Sequence, residues 1–158
     1  MGRILCFDYG LKRVGVAVTD ELKIISTPYD TFPASIVFNL ISEYLSKNTV
    51  DIFVVGLPYD LKGRETDATK KTLDFIKSLK NKFPSIPVDT YDERYTSKIA
   101  KDSIREMGKN KKFRQEKSNV DKISASIILQ SYLIRKNIWY IQLHFTEILF
   151  LGKRVKIL

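Results

Sequence analysis

Ile4-Leu5-Cys6-Phe7-Asp8-Tyr9-Gly10-Leu11-Lys12-Arg13-Val14-Gly15-Val16-Ala17-Val18 is the stretch that decides the fold. The apolar run Ile4 to Phe7 reads as a strand over about 3–8. Val14, Val16 and Val18 alternate with small residues and read as a second strand over about 14–19, so the pair forms a hairpin across a tight turn at Gly10. Asp8 interrupts the apolar run. A strand-borne carboxylate is expensive to bury unpaired, so it must be hydrogen-bonded, ion-paired or coordinating a metal. The other reading makes Asp8 a turn residue at the chain reversal.

Outward from the hairpin, a short third strand near Lys23 to Ser26 is expected to complete an antiparallel meander before Pro28 and Pro33 break the chain. A helix follows at about Ala34 to Lys47, with Ile36, Leu40, Ile41, Tyr44 and Leu45 at helical spacing. The continuous apolar run Ile52 to Val55 reads as a buried parallel strand ending at Gly56. An amphipathic helix from about Thr66 to Phe83 leads to a strand near Val88, and two helices carry the rest. A chain of 158 residues without internal repeat or Gly/Ser-rich linker makes one domain, and 44% hydrophobic content fills a core. The pattern is α/β: an antiparallel meander plus parallel strands in one mixed sheet, flanked by helices.

Two further acids accompany Asp8. Glu93 follows the short strand in Val88-Asp89-Thr90-Tyr91-Asp92-Glu93-Arg94-Tyr95-Thr96-Ser97, at a strand's C-terminal end, just before a helix capped by Thr96 or Ser97. Ligand and catalytic groups collect at such ends in α/β sheets; the alternative is a loop carboxylate paired with Arg94. Asp121 lies in Ser118-Asn119-Val120-Asp121-Lys122-Ile123-Ser124-Ala125. Ser118 and Asp121 have capping-box spacing. Ala125 and Ile128 share a helix face with Asp121, and a face with so small a residue can approach a sheet closely. Cap and ligand both stand as readings.

Lys and Arg number 27 against 18 Asp and Glu, a formal net charge of +9 that suits a phosphate-bearing partner. The excess concentrates in Lys109-Asn110-Lys111-Lys112-Phe113-Arg114-Gln115-Glu116-Lys117, where a basic segment with an embedded aromatic can follow a nucleic-acid backbone and stack a base. Otherwise the run is a solvated loop. The single cysteine, Cys6, excludes an internal disulfide and reads as a buried thiol of a reducing compartment. Arg3 is followed by only four apolar residues before Asp8, too few for a secretory signal, so a cytoplasmic location and no membrane association are expected.

Asp8-Tyr9-Gly10-x-Lys12-Arg13-x-Gly15-x-Ala17, Val54-Val55-Gly56-Leu57-Pro58, Asp92-Glu93-Arg94-x-Thr96-Ser97 and Asp121-x-x-Ser124-Ala125 together resemble the YqgF family. That family comprises nucleases of pre-16S rRNA processing and proteins like Holliday junction resolvases. The match runs from Met1 to about Tyr132. The resemblance implies an RNase H-like fold, a nuclease domain over residues 1–135, and an acidic site of Asp8, Glu93 and Asp121. It further implies that Gly56-Leu57-Pro58 shapes the adjoining loop. Phosphodiester hydrolysis needs no histidine, because two hard divalent cations about 3.5–4 Å apart can activate water and stabilise the leaving oxygen when oxygen ligands hold them. Mg²⁺ or Mn²⁺, two ions, are therefore expected, with Asp8 bridging and Glu93 and Asp121 each completing one. Lys12, Arg13 and Arg94, with Lys111, Lys112 and Arg114, are candidate phosphate contacts; for Lys12 and Arg13 the other reading is a solvated basic turn. Precursor rRNA is the expected partner and junction DNA the alternative.

Residues 136–158 depart from the family pattern. Trp139, Ile141, Leu143 and Phe145 alternate with Tyr140, Gln142, His144 and Thr146, the period of a half-buried strand. Continuation of the last helix and an aberrant extension are the other readings, and the stretch is too short and interrupted for a membrane span. His144 lies outside the motifs. Two rival functions remain open: an ATP-binding fragment, since Asp8-x-Gly10 with Gly15 resembles the phosphate-binding turn of actin-like ATPases, and a non-catalytic nucleic-acid-binding module whose acids are caps.

Overall fold

The protein is described by a computed structural model covering residues 2–94 and 116–154, the segment 138–154 as backbone alone. The strands are β1 (Arg3–Tyr9), β2 (Arg13–Thr19), β3 (Ser26–Pro33), β4 (Val50–Leu57) and β5 (Val88–Asp92); the helices are α1 (Val37–Lys47), α2 (Asp67–Lys82) and α3 (Lys117–Arg154). They form one sheet in the order β3-β2-β1-β4-β5. β1 is antiparallel to β2 and parallel to β4, β2 is antiparallel to β3, and β4 is parallel to β5. The mixed sheet read from the sequence is present, with the Asp8 strand at its centre.

The third strand lies later than expected. Lys23 to Ser26 belongs mostly to the turn, and the strand runs through Pro28 to end at Pro33. Proline is tolerated because β3 is the sheet edge, where a missing N–H breaks no outer ladder. The register steps from Val16↔Asp30 to Ala17↔Pro28, leaving Tyr29 as the extra residue of a bulge. α1 correspondingly starts at Val37 rather than Ala34, whose N–H still bonds the Lys12 carbonyl at 3.1 Å.

α2 begins where its capping chemistry dictates. Thr66 is the N-cap and exchanges side-chain and backbone hydrogen bonds with Thr69, and the Thr69 hydroxyl also donates to the Pro58 carbonyl. α3 answers the question of the tail: it continues without interruption to Arg154, so Trp139 to Phe145 is helix. A helix satisfies its own backbone within the segment, whereas a strand there would have needed pairing along an edge of the sheet. No helix among the described residues is long and apolar enough to cross a membrane.

Strand alternation divides the sheet into two faces. Leu5, Phe7, Val14, Val16, Phe53 and Val55 pack under α1 and α2. Ile4, Cys6, Ala17 and Val54 pack under α3 through Ala125, Ile128, Leu129 and Tyr132. Ser26 fastens α3 to the β3 edge, its hydroxyl donating to the Ser126 carbonyl at 2.9 Å and its N–H to Gln130 Oε1 at 3.0 Å.

Candidate active site

Period-two alternation puts Asp8 on the α3 face, two residues beyond Cys6 and opposite Gly15 of β2. A β-carbon added at Gly15 would run into the Asp121 carbonyl, so the missing side chain is what lets the first turns of α3 lie against the strand. Asp121 is thereby brought to Asp8. The same parity places Asp89, Tyr91 and, just past β5, Glu93 towards α3. Gly56 pairs with Tyr91, and a β-carbon there would meet Glu93 Oε2 at 2.8 Å and Ile128 Cδ1 at 2.9 Å. Gly56 is thus the space the Glu93 carboxylate occupies. The Glu93 N–H donates to the Leu57 carbonyl at 3.2 Å, prolonging the β4–β5 ladder by one bond and holding the residue at the strand end.

Burial, and then the charge of Asp121, push the Asp8 carboxyl up to about 7. Burial, and then Asp8 and Asp92, push Glu93 up to about 8. The Cys6 thiol beneath them is raised well above its ordinary value, first by burial and then by Asp8 and Glu93. It is a buried, protonated group, as its place in the first strand implied. Acids from β1 and the end of β5, with Asp121 of α3 beside Asp8, thus crowd negative charge together.

Asp121 is held differently. Arg13 Nε donates to its Oδ2 at 2.8 Å. The helix starts at Lys117, one residue before Ser118, which removes Ser118 as the N-cap. Glu116 precedes the helix, its carboxylate accepting from Ser118 Oγ at 3.3 Å and from Asn119 Nδ2 at 2.9 Å. Asp121 is thus left to face the sheet. Asp8, Gly10, Leu11, Lys12, Arg13 and Asp121 line an open pocket of about 270 Å³. Among the described residues no three His, Cys, Asp or Glu side chains stand together as a ready-made metal cluster, and Asp121 has given one oxygen to Arg13.

Of the basic candidates, Lys12 is exposed at the pocket rim and Arg13 is turned to Asp121. Arg94 forks onto Asp92, with Nε 2.8 Å and one terminal nitrogen 2.7 Å from Oδ2. Lys111, Lys112 and Arg114, and the cap at Thr96 or Ser97, lie outside the described residues. Sequence reading passed over Gly15 and Gly56 as individual spacers, although both stood inside the quoted motifs. It also passed over the Asp89 anchor, which receives Tyr132 Oη at 2.9 Å and Lys136 Nζ at 3.2 Å and pins α3 to β5.

A family model described as RuvX, Holliday junction resolvase, matches residues 2–135. A protein of Amoebophilus asiaticus named "Putative pre-16S rRNA nuclease" is 47% identical over 133 residues, 84% of this chain and 94% of that protein. One of the same name from Parabacteroides distasonis is 46% identical over 136 residues, 86% of this chain and 97% of that protein. Among solved structures, "T. thermophilus RuvC in complex with Holliday junction substrate" superposes with a TM-score of 0.55 at 14% identity, covering 86% of this chain and 96% of that one. At that identity the likeness speaks for the fold alone, which is RNase H-like.

Proposed function

We propose, for a chain that belongs to the RuvX family and is a nuclease, a hydrolase acting on ester bonds, that Asp8, Glu93 and Asp121 are its catalytic acids and hold divalent cations. The observation that carries this reading is the pair of carboxyls raised to about 7 and about 8, mainly by burial and then by neighbouring acids. Buried negative charge crowded by other acids costs stability, and a bound cation relieves it. The donors are hard carboxylate oxygens, which fit Mg²⁺ or Mn²⁺. Two such ions supply water activation and stabilisation of the departing oxygen.

Asp8, fixed in the central strand, is the ligand best placed to be shared; Glu93 from the end of β5 and Asp121 from α3 each complete one site. Lys12 at the pocket rim takes a substrate phosphate, and Lys111, Lys112 and Arg114 extend the binding path along the backbone. Arg94 orients the loop through Asp92 before it meets nucleic acid. Residues 1–135 form the catalytic unit, working in the cytoplasm.

The substrate we favour is precursor 16S rRNA, cleaved towards its 5′ end, in keeping with the names of the similar proteins. The description of the family model supports a second reading, junction DNA. The test offers the purified chain precursor rRNA and a four-way DNA junction side by side, with Mg²⁺, Mn²⁺ or chelator, and Asp8→Asn as control. Cation-dependent cut precursor beside intact junction is the expected result. Cut junction with intact precursor selects the second reading, and cleavage that survives chelator overturns the cation assignment.

A further inference from the structure

Arg13 occupies an unusual position, because the acid it grips is one of the three assigned to the cations. Its backbone is fixed: its carbonyl accepts the Gly10 N–H at 2.9 Å, and the residue pairs with Pro33 across the sheet. Its side chain is 39% exposed and is held to Asp121 through Nε alone. The two terminal nitrogens make no hydrogen bond to any described residue. A guanidinium so placed keeps its bidentate phosphate-binding edge available while a charge-assisted bond restrains the carboxylate.

We propose that Arg13 is a positioning residue that couples nucleic-acid binding to cation binding: it holds Asp121 until a backbone phosphate draws the guanidinium away and leaves Asp121 to the cation. This rests on the reading of Asp121 as a cation ligand. A carboxylate oxygen bonded to Arg13 Nε is a poorer ligand than a released one, so cation and Arg13 compete for it. Once Arg13 has turned to phosphate, Asp121 faces Asp8 unneutralised, and the repulsion between them favours cation uptake. Lys12, exposed on the same pocket, draws phosphate to where Arg13 can reach it. Linkage then requires the reverse effect, bound cation tightening nucleic acid by the same factor.

The experiment is a Mn²⁺ titration of the full chain followed by the electron paramagnetic resonance of free Mn²⁺. It is run with and without a short phosphorothioate oligonucleotide whose own Mn²⁺ uptake is subtracted. In the natural chain the oligonucleotide should tighten Mn²⁺ binding by about fivefold or more, the lower end of common couplings. Arg13→Gln should bind Mn²⁺ more tightly than the natural chain without oligonucleotide and show a diminished coupling. Arg13→Lys, which keeps a cation in reach, should recover part of the coupling. If Arg13→Gln and the natural chain bind Mn²⁺ alike and respond alike to the oligonucleotide, the proposal is overturned while the acids stand as ligands. If neither protein binds Mn²⁺, both this proposal and the ligand assignment fall.

Discussion

The two faces of the sheet are built from residues of different size. Under α1 and α2 the strands present Leu5, Phe7, Val16, Phe53 and Val55, with Phe7 and Phe53 meeting edge to face at 5.6 Å between ring centroids. Under α3 they present Cys6, Gly15, Ala17 and Gly56 beside Ile4 and Val54, met from the helix by Ala125 together with Ile128 and Leu129. Bulky residues bury more apolar area, roughly 25 cal/mol per Å². Small ones give up that gain but let two backbones approach, so the short side chains of Asp8 and Asp121 come close enough to repel one another. Both faces bury an apolar core, and the α3 face alone also spends stability on charge.

The largest effect expected from that division is at Asp8. Asp8→Asn should lower cleavage by about a hundred- to a thousandfold, the scale of a lost electrostatic group at a reacting centre. Its stability should move the other way. An unfolded chain releases these carboxyl protons near the ordinary value of about 4. The folded one keeps them to about 7 at Asp8 and about 8 at Glu93. The native state therefore binds more protons across that window, and stability falls as pH rises from about 4 to about 8, by a few kcal/mol. Melting curves in chelator over this range should show the decline, and Asp8→Asn should flatten it. Cleavage by the variant at the natural rate would remove Asp8 from the site.

Leu79→Ala, on the opposite face, tests the converse. Leu79 is fully buried in α2, and its truncation should cost about 2–5 kcal/mol in denaturant unfolding while cleavage per folded molecule stays unchanged. Impaired turnover at full folding would mean that the faces are not separable.

Gly15→Ala sits between these cases. The added methyl meets the Asp121 backbone, so α3 must shift, at a cost of about 1–3 kcal/mol. Because the shift moves Asp121 relative to Asp8, cleavage should fall by more than the loss of folded protein explains. A variant as stable and as active as the natural chain would show that close approach is not what organises the site.

The smallest expected change sharpens where nucleic acid runs. Neutralising Lys111, Lys112 and Arg114 together should flatten the salt dependence of binding. The slope should drop by about 0.9 for each phosphate no longer neutralised on duplex DNA, or about 0.7 on single strands. An unchanged slope in a salt titration would move the binding path to the Lys12 side.

Much of this was legible in the residues themselves. A carboxylate after Ile4-Leu5-Cys6-Phe7 announces itself by composition, the Val14-Val16-Val18 alternation gives the second strand, and the amphipathic period places α2 from about Thr66. These signals are short-range, and short-range physics is written along the chain. The four spaced motifs also sufficed to point to the family, which the RuvX match over residues 2–135 bears out.

Partnership across the fold was not legible. Pro28 reads as a breaker until β3 is known to be an edge; Ser118 reads as a cap until the helix is seen to begin at Lys117; Trp139 to Phe145 reads as a strand until α3 is seen to run through it. Arg13 and Arg94 read as phosphate-binding cations, yet one grips Asp121, 108 positions away, and the other grips Asp92. The sequence by itself determined which residues carry charge, which segments alternate and where the glycines fall. Only the tertiary structure decided that Gly15 and Gly56 make room for Asp121 and Glu93, and which cation meets which acid. Electrostatic pairing and steric exclusion depend on distances in space, and those are set by how strands and helix pack rather than by their order along the chain.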